Sequence, residues 1–161
     1  MKCFFKNVTS QKFLNSESSK ARVAVWDIAL TGFAERPVLG WGVDTFTYTY
    51  QKYYEPYLLS KEYGADSWFD KPHNYPLEIL VSSGIIGIVS WLFLYVACGV
   101  VLVKKYRRSK TEDEKKNAFV MMVVFSSLLV VHVVQNLTVF DTITTFIMWF
   151  FVLSFTSYNA L

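Results

Sequence analysis

The stretch KPHNYPLEILVSSGIIGIVSWLFLYVACGVVLVKKYRRSK, residues 71–110, decides the fold. Its centre, residues 85–103, holds no charged side chain, and nineteen residues wound as a helix reach about 28 Å at roughly 1.5 Å each, close to the ~30 Å hydrocarbon core of a bilayer. A dense basic cluster follows at once. Two further uncharged runs lie beyond it: residues 118–137, which end on His132, Gln135 and Asn136, and residues 142–158, richer in Thr and carrying Trp149 in an aromatic triplet. The expected fold is therefore an all-α integral membrane protein with about three transmembrane helices, 85–103, 118–137 and 142–158, behind an N-terminal extracytoplasmic segment that holds amphipathic helices.

Composition agrees. The chain has 161 residues, 53% hydrophobic and 18% aromatic, with a net charge of +3 and a mean hydropathy of +0.28. Residues 1–84 carry nine basic and nine acidic side chains, and the other seven Lys and Arg all fall within 104–116. This distribution excludes a soluble globular domain and a disordered acidic chain, and two cysteines, Cys3 and Cys98, make no disulfide scaffold. Nucleic acid is not the expected partner, because the basic cluster adjoins a membrane segment and not a folded face. Under the positive-inside rule the loop 104–117 is cytoplasmic, so residues 1–84 lie outside, together with Gln135, Asn136 and Asp141, the last as a cap on the third span. The apolar patch at residues 3–5 is too short for a secretory signal, so the expectation is a C-terminal part of a larger membrane protein whose upstream helices deliver this segment.

The outer segment is organised. Residues 1–20 are polar and expected to be loosely ordered, and 21–84 form the functional loop. From 21 to 35 the apolar side chains Val23, Trp26, Leu30 and Phe33 recur at helical spacing, which predicts an amphipathic helix on that face, stopping before Pro37. ERPVLGWG, 35–42, is then a turn in which Gly40 and Gly42 permit tight backbone geometry. Phe46, Tyr50, Tyr53, Tyr54 and Tyr57 suit a second amphipathic helix at the membrane interface, either as an aromatic belt or as a wall that contacts lipid or sugar.

In 72–87, Asn74 is the expected N-cap of a helix and Pro76 falls in its first turn, so the helix begins just after His73. The positive end of the helix dipole there favours a neutral, base-competent imidazole and attracts phosphate. His73 is accordingly the candidate general base, with Asn74 beside it as a substrate contact and Glu78, one turn on, as a proton acceptor or hydroxyl-orienting group. The competing reading is that His73 only caps a helix at an interface. Eleven residues from His73 put Gly84 near the same helical face, where with Gly87 it would let another helix approach closely. Arg22 offers a planar fork of donors suited to phosphate oxygens, whereas Arg36 reads as a surface residue. His132, Gln135 and Asn136 share one face of the second span, where they either bond between helices or line a substrate cavity. No phosphate-binding loop, metal-ligand spacing or Ser-His-Asp set is present in the sequence, so neither cofactor nor metal is expected. A transporter would want broken helices and buried charges near the midplane, and the spans predict none.

The order of blocks resembles a known family. Arg22-x3-Trp26, then ERPVLGWGVDTF (35–46), an aromatic-rich loop, HNYPLEILVSSGIIG (73–87) and VQNLTVFDT (134–142) look like the C-terminal conserved region of the O-antigen ligase and polymerase superfamily, over about residues 20–158. The resemblance implies a bacterial inner-membrane, multi-pass glycosyltransferase of lipopolysaccharide biosynthesis, active on its periplasmic face without cofactor. Such enzymes move a glycan from undecaprenyl diphosphate to an acceptor hydroxyl, on lipid A core in ligases or on another glycan in polymerases. His73 then matches the histidine that activates the acceptor, and Arg22 an arginine that holds the diphosphate, with Glu78 a further candidate and Asn74, Gln135 and Asn136 as substrate contacts. The family pattern has another diphosphate-binding arginine upstream of these blocks, so the resemblance implies a half-site. The alternatives are a polymerase, or a non-catalytic membrane fragment that binds polyprenyl lipid.

Overall fold

A computed structural model of the chain describes residues 17–61, 68–139 and 142–158. The first sixteen residues and Asp141, with the expectations attached to them, lie outside these. All the regular structure among the described residues is helical: α1 (Glu17–Glu35), α2 (Phe46–Lys52), a single 3-10 turn (Pro56–Leu59), α3 (Tyr75–Arg108), α4 (Glu112–Asn136) and α5 (Ile143–Tyr158). Contacts divide the described chain into a first unit, through Ile88 with Thr138 and Val139, and a second, residues 89–137 with 142–158.

In the first unit α1 buries Ala21, Ala24, Val25, Ile28, Ala29 and Gly32. The helix covers the stretch 21–35 that the periodicity marks but starts earlier, at Glu17, so residues 17–20 are helical and not loosely ordered, and its inward face is the small-residue one; Val23, Trp26, Leu30 and Phe33 are only half-buried. The reason is close packing. A methyl group on Gly32 would stand 2.1 Å from Cγ2 of Thr49 on α2, so only a small-residue stripe admits that neighbour. Phe46, Tyr50, Leu58, Phe69 and Val81 complete the core with α1. Phe46 and Tyr50 are therefore core residues and not an interfacial belt; each is at most 3% exposed. Burial of such large side chains is the main driving force of this unit.

The loop after α1 locks into α3. At Gly84 the backbone leaves the helix (φ 63°, ψ −157°), so α3 is two helical pieces, 75–83 and 85–108. Such a break orphans carbonyls on one side and N–H groups on the other. Here residues 37–42 supply both sets of partners. The N–H groups of Trp41 and Gly42 donate to the carbonyls of Val81 (2.8 Å) and Ser82 (2.9 Å), while those of Ile85 and Ile86 donate to Pro37 (2.8 Å) and Val38 (3.5 Å). Backbone meets backbone with no room for a side chain: a Cβ on Gly84 would lie 2.3 Å from the Val38 oxygen, and one on Gly40 2.5 Å from Ser82. The expectation that Gly84 and Gly87 admit a neighbouring helix is thus corrected. A loop occupies Gly84, and Gly87 faces Ser83 across the break. Helix counting across Gly84 fails for the same reason, and the helix is broken where no break was expected.

In the second unit the remainder of α3 runs on to Arg108, and only residues 109–111 separate it from α4. The basic and acidic cluster therefore sits on helix ends. Thr111 accepts from the N–H of Glu114, and the Glu114 carboxylate accepts from the N–H groups of Lys110 and Thr111, a capping box whose bonds hold that carboxyl below its usual range. α3 and α4 are long and apolar enough to cross a membrane; α5, at 16 residues, reaches only about 24 Å. Cys98, Leu129 and Trp149 form a small core. Phe93, Val96, Val131 and Phe151 each leave more than 60% of their surface outside it. An apolar surface of this kind belongs against lipid or further helices.

The interlock predicts opposite outcomes for two glycines of α3. Gly84→Ala should destabilise the protein by at least about 2–3 kcal/mol, through a left-handed non-glycine residue and a backbone clash. Gly99→Ala, with nothing within 4 Å, should be neutral or slightly stabilising. Thermal melting of the detergent-solubilised variants checks both.

Candidate functional site

The segment 71–74 sits between α1 and the start of α3. Asn74 caps α3 as expected, its Oδ1 accepting from the N–H of Leu77 at 3.1 Å, with Pro76 in the first turn. His73 precedes the cap in the left-handed region (φ 51°), unusual for a residue with a Cβ and sustained only where surroundings impose it. The neighbours do impose it. Trp26 of α1 donates from Nε1 to the carbonyl of buried Pro72 at 2.8 Å, and Phe69 meets the imidazole edge-on at 6.1 Å. On the other side Lys71 pairs with Glu78 of α3 at 2.8 Å and lies 3.9 Å from Asp44.

These contacts fix the state of the ring. His73 Nδ1 lies 3.2 Å from the Lys71 carbonyl oxygen, which can only accept, so Nδ1 carries the proton and Nε2 holds the lone pair in the neutral ring. The Glu78 carboxylate holds the Lys71 ammonium above its usual range, against the opposing effect of burial. Glu78 is therefore engaged as the anchor of the His73 segment; its Oε2 is buried and has no hydrogen-bond partner among the described residues. Arg22 is half-buried on α1, one turn before Trp26. Arg36 is exposed, as a surface residue should be, but its guanidinium stacks 4.2 Å from the Trp41 ring, while Trp41 Nε1 donates to the Gly32 carbonyl at 2.8 Å. Gly40 and Gly42 both take positive φ, as expected for the turn they form.

Gln135 and Asn136 belong to the second unit. Asn136 is fully buried, with Nδ2 3.4 Å from His132 Nδ1, which also bonds the Tyr95 hydroxyl at 2.6 Å. Trp149 stacks on both rings, 4.6 Å from Tyr95 and 5.1 Å from His132. Gln135, with His132, Thr144 and Trp149, lines a cleft of about 230 Å³ between α4 and α5. His132 thus bonds between helices, and Gln135 lines the cleft. Sequence reasoning missed Tyr95 and read Trp149 only as part of the third span; the one signal of their pairing is a polar-tipped aromatic inside an apolar span. Among the described residues no three His, Cys, Asp or Glu side chains come together as metal ligands.

Comparison with known proteins adds an independent line. The sequence pattern of the O-antigen ligase family matches residues 1–92, which contain α1, the interlocking loop, His73 and Gly84. A Rickettsia conorii protein that carries the name polysaccharide ligase is 31% identical over 112 residues, covering 67% of this chain. The chain spans about a quarter of that relative's length, 24%. No solved structure matches.

The ion pair of Lys71 and Glu78 predicts a non-additive cycle. Lys71→Met leaves a mostly buried carboxylate unpaired and should cost about 1–3 kcal/mol, and adding Glu78→Leu should return part of it. Because the lysine is raised, its contribution is full across the neutral range and lost only as the pH climbs past the ordinary lysine value of about 10.4. Melting curves of the single and double variants, taken at pH 7 and above pH 10, measure this.

Proposed function

The chain belongs to the O-antigen ligase family, and from that membership we propose that it contributes one half of the active site of a membrane glycosyltransferase that moves a glycan from undecaprenyl diphosphate to an acceptor hydroxyl. The observation that carries the reading is His73, tied through Nδ1 to the Lys71 carbonyl so that Nε2 is the proton acceptor, at the N-terminal end of a capped helix. In the proposed step the acceptor hydroxyl gives its proton to Nε2 of His73, and the oxygen attacks the anomeric carbon of the carried glycan. The bond from that carbon to the diphosphate breaks, and undecaprenyl diphosphate leaves with the electron pair. Arg22 meets the negative charge gathering on the diphosphate, where a bidentate guanidinium matches phosphate geometry. Asn74 orients the acceptor, and Glu78 acts by holding Lys71 and hence His73 in place.

The positive-inside rule puts the cluster at 104–116 in the cytoplasm and this site on the periplasmic face of a bacterial inner membrane, with α5 as a third span. The Rickettsia relative's name favours a ligase, with lipid A core as acceptor, over a polymerase, whose acceptor is another glycan. Gln135 offers a polar contact within the α4–α5 cleft, whereas Asn136, fully buried beside His132, is a packing residue. Segments of the longer protein supply the remaining diphosphate contacts.

Complementation of a ligase-deficient strain with the full native reading frame tests the assignment. His73→Ala should lower glycan transfer by about 10²–10⁴-fold, the range of a lost general base. Arg22→Ala should lower it comparably, and Arg22→Lys should restore little, since a point charge lacks the fork. Full transfer by His73→Ala and Arg22→Ala at equal membrane expression would instead mean that neither side chain takes part in the transfer.

A further inference from the structure

The loop that closes the break in α3 carries an apolar tip and a stacked cation that the transfer chemistry does not use. Val38 and Leu39 lie exposed at its turn, Leu39 keeping 71% of its surface. Hydrogen bonds fix their depth. The N–H groups of Ile85 and Ile86 donate to the carbonyls of Pro37 and Val38, so the tip stands level with the first turn of the 85–108 piece, whose nineteen uncharged residues begin at Ile85. Ile85 and Ile86 are themselves about half exposed. The apolar surface of the membrane-length helix therefore continues onto the loop. Arg36 opens the same loop, its guanidinium 4.2 Å from the Trp41 ring. Such stacking uses the face of the guanidinium and not its N–H edge, and Arg36 is exposed. The neighbouring carboxylate, Glu35, is held below its usual range first by bonds from Lys52 and Tyr53, with Arg36 the last of the influences on it. Trp41 and exposed Tyr48 pair at 5.4 Å, amphipathic rings of the kind that settle at headgroup depth.

We infer that residues 36–39 form a phospholipid clamp where α3 enters the membrane, in which Arg36 takes the headgroup phosphate and Val38 and Leu39 enter the acyl chains beneath it. Position and chemistry both select this occupant. A further helix of the longer protein would cover Val38 and Leu39 but leave the guanidinium desolvated without an anion, which is costly. The diphosphate of a lipid carrier belongs, in the proposed transfer, with His73, and residues 75–83 put the break about 13 Å along α3 from that end. A phospholipid offers an anion directly above an apolar chain, and its phosphate oxygens match a guanidinium fork. The inference needs the membrane reading of α3 and not the transfer reading.

The full native protein, carrying the photoreactive substitution Leu39→p-benzoylphenylalanine, is placed in nanodiscs of synthetic phosphatidylethanolamine and phosphatidylglycerol, which contain no polyprenyl carrier. After irradiation, mass spectrometry identifies what the probe has captured. A phospholipid adduct on the peptide that holds residue 39 is expected, reduced about fivefold by Arg36→Gln, which keeps a planar side chain but removes the charge. Arg36→Lys, which keeps the charge, should recover part of the yield, so that loss of fold cannot mimic loss of the phosphate contact. His73→Ala should give the parent's yield. Adducts confined to peptides of the protein itself would identify a helix as the occupant and overturn the clamp. So would equal lipid capture by Arg36→Gln and the parent. If that same Arg36→Gln protein also lost glycan transfer, its guanidinium would belong to the carrier diphosphate instead.

Discussion

Four backbone hydrogen bonds between residues 37–42 and the break in α3 hold the first unit together. A helix interrupted near a membrane leaves peptide groups that neither lipid nor apolar side chains can satisfy, and each unsatisfied group costs several kcal/mol there. The loop supplies donors to the carbonyls of Val81 and Ser82 and acceptors to the N–H groups of Ile85 and Ile86, so the interruption is closed on both sides. Gly40 and Gly84 are the two points at which backbones come too close for a Cβ. Two glycine-bearing stretches far apart in sequence are therefore one structural object.

The placement of His73 depends on this closure. Because the loop leaves directly from the end of α1, locking it at Gly84 fixes α1 against the first piece of α3, and the segment 71–74 is gripped between them. Trp26 holds Pro72 from one side, Glu78 holds Lys71 from the other, and Asn74 starts the helix. His73 can then sustain a left-handed backbone and a single tautomer, the kind of local strain that a rigid surround makes possible. The same helix carries Arg22 one turn before Trp26, which holds Pro72.

Much of this was legible in the sequence, and the rest was hidden for definite reasons. Uncharged runs of membrane length marked α3 and α4, and the Asn74–Pro76 start of a helix was visible because capping is local chemistry. The period of α1 was visible as well, but not its inward face: the helix is apolar on several sides, and close approach to α2 selects the Ala and Gly stripe over Val23 and Leu30. Phe46 and Tyr50 looked interfacial because aromatics serve cores and headgroup regions alike. The break at Gly84 was illegible because a glycine within an apolar run reads as a packing residue until its distant partner loop is known. Likewise Lys71–Glu78 and Tyr95–His132–Trp149 are tertiary pairings that no local pattern announces.

Amide hydrogen exchange of the full native protein in detergent, resolved by mass spectrometry, tests the interlock most directly. The account predicts that the amides of Trp41, Gly42, Ile85 and Ile86 exchange as slowly as those of the buried turns of α1, although Trp41 and Gly42 lie in a loop by sequence. Exchange of Trp41 and Gly42 at the rate of an open loop, while α1 stays protected, would contradict it.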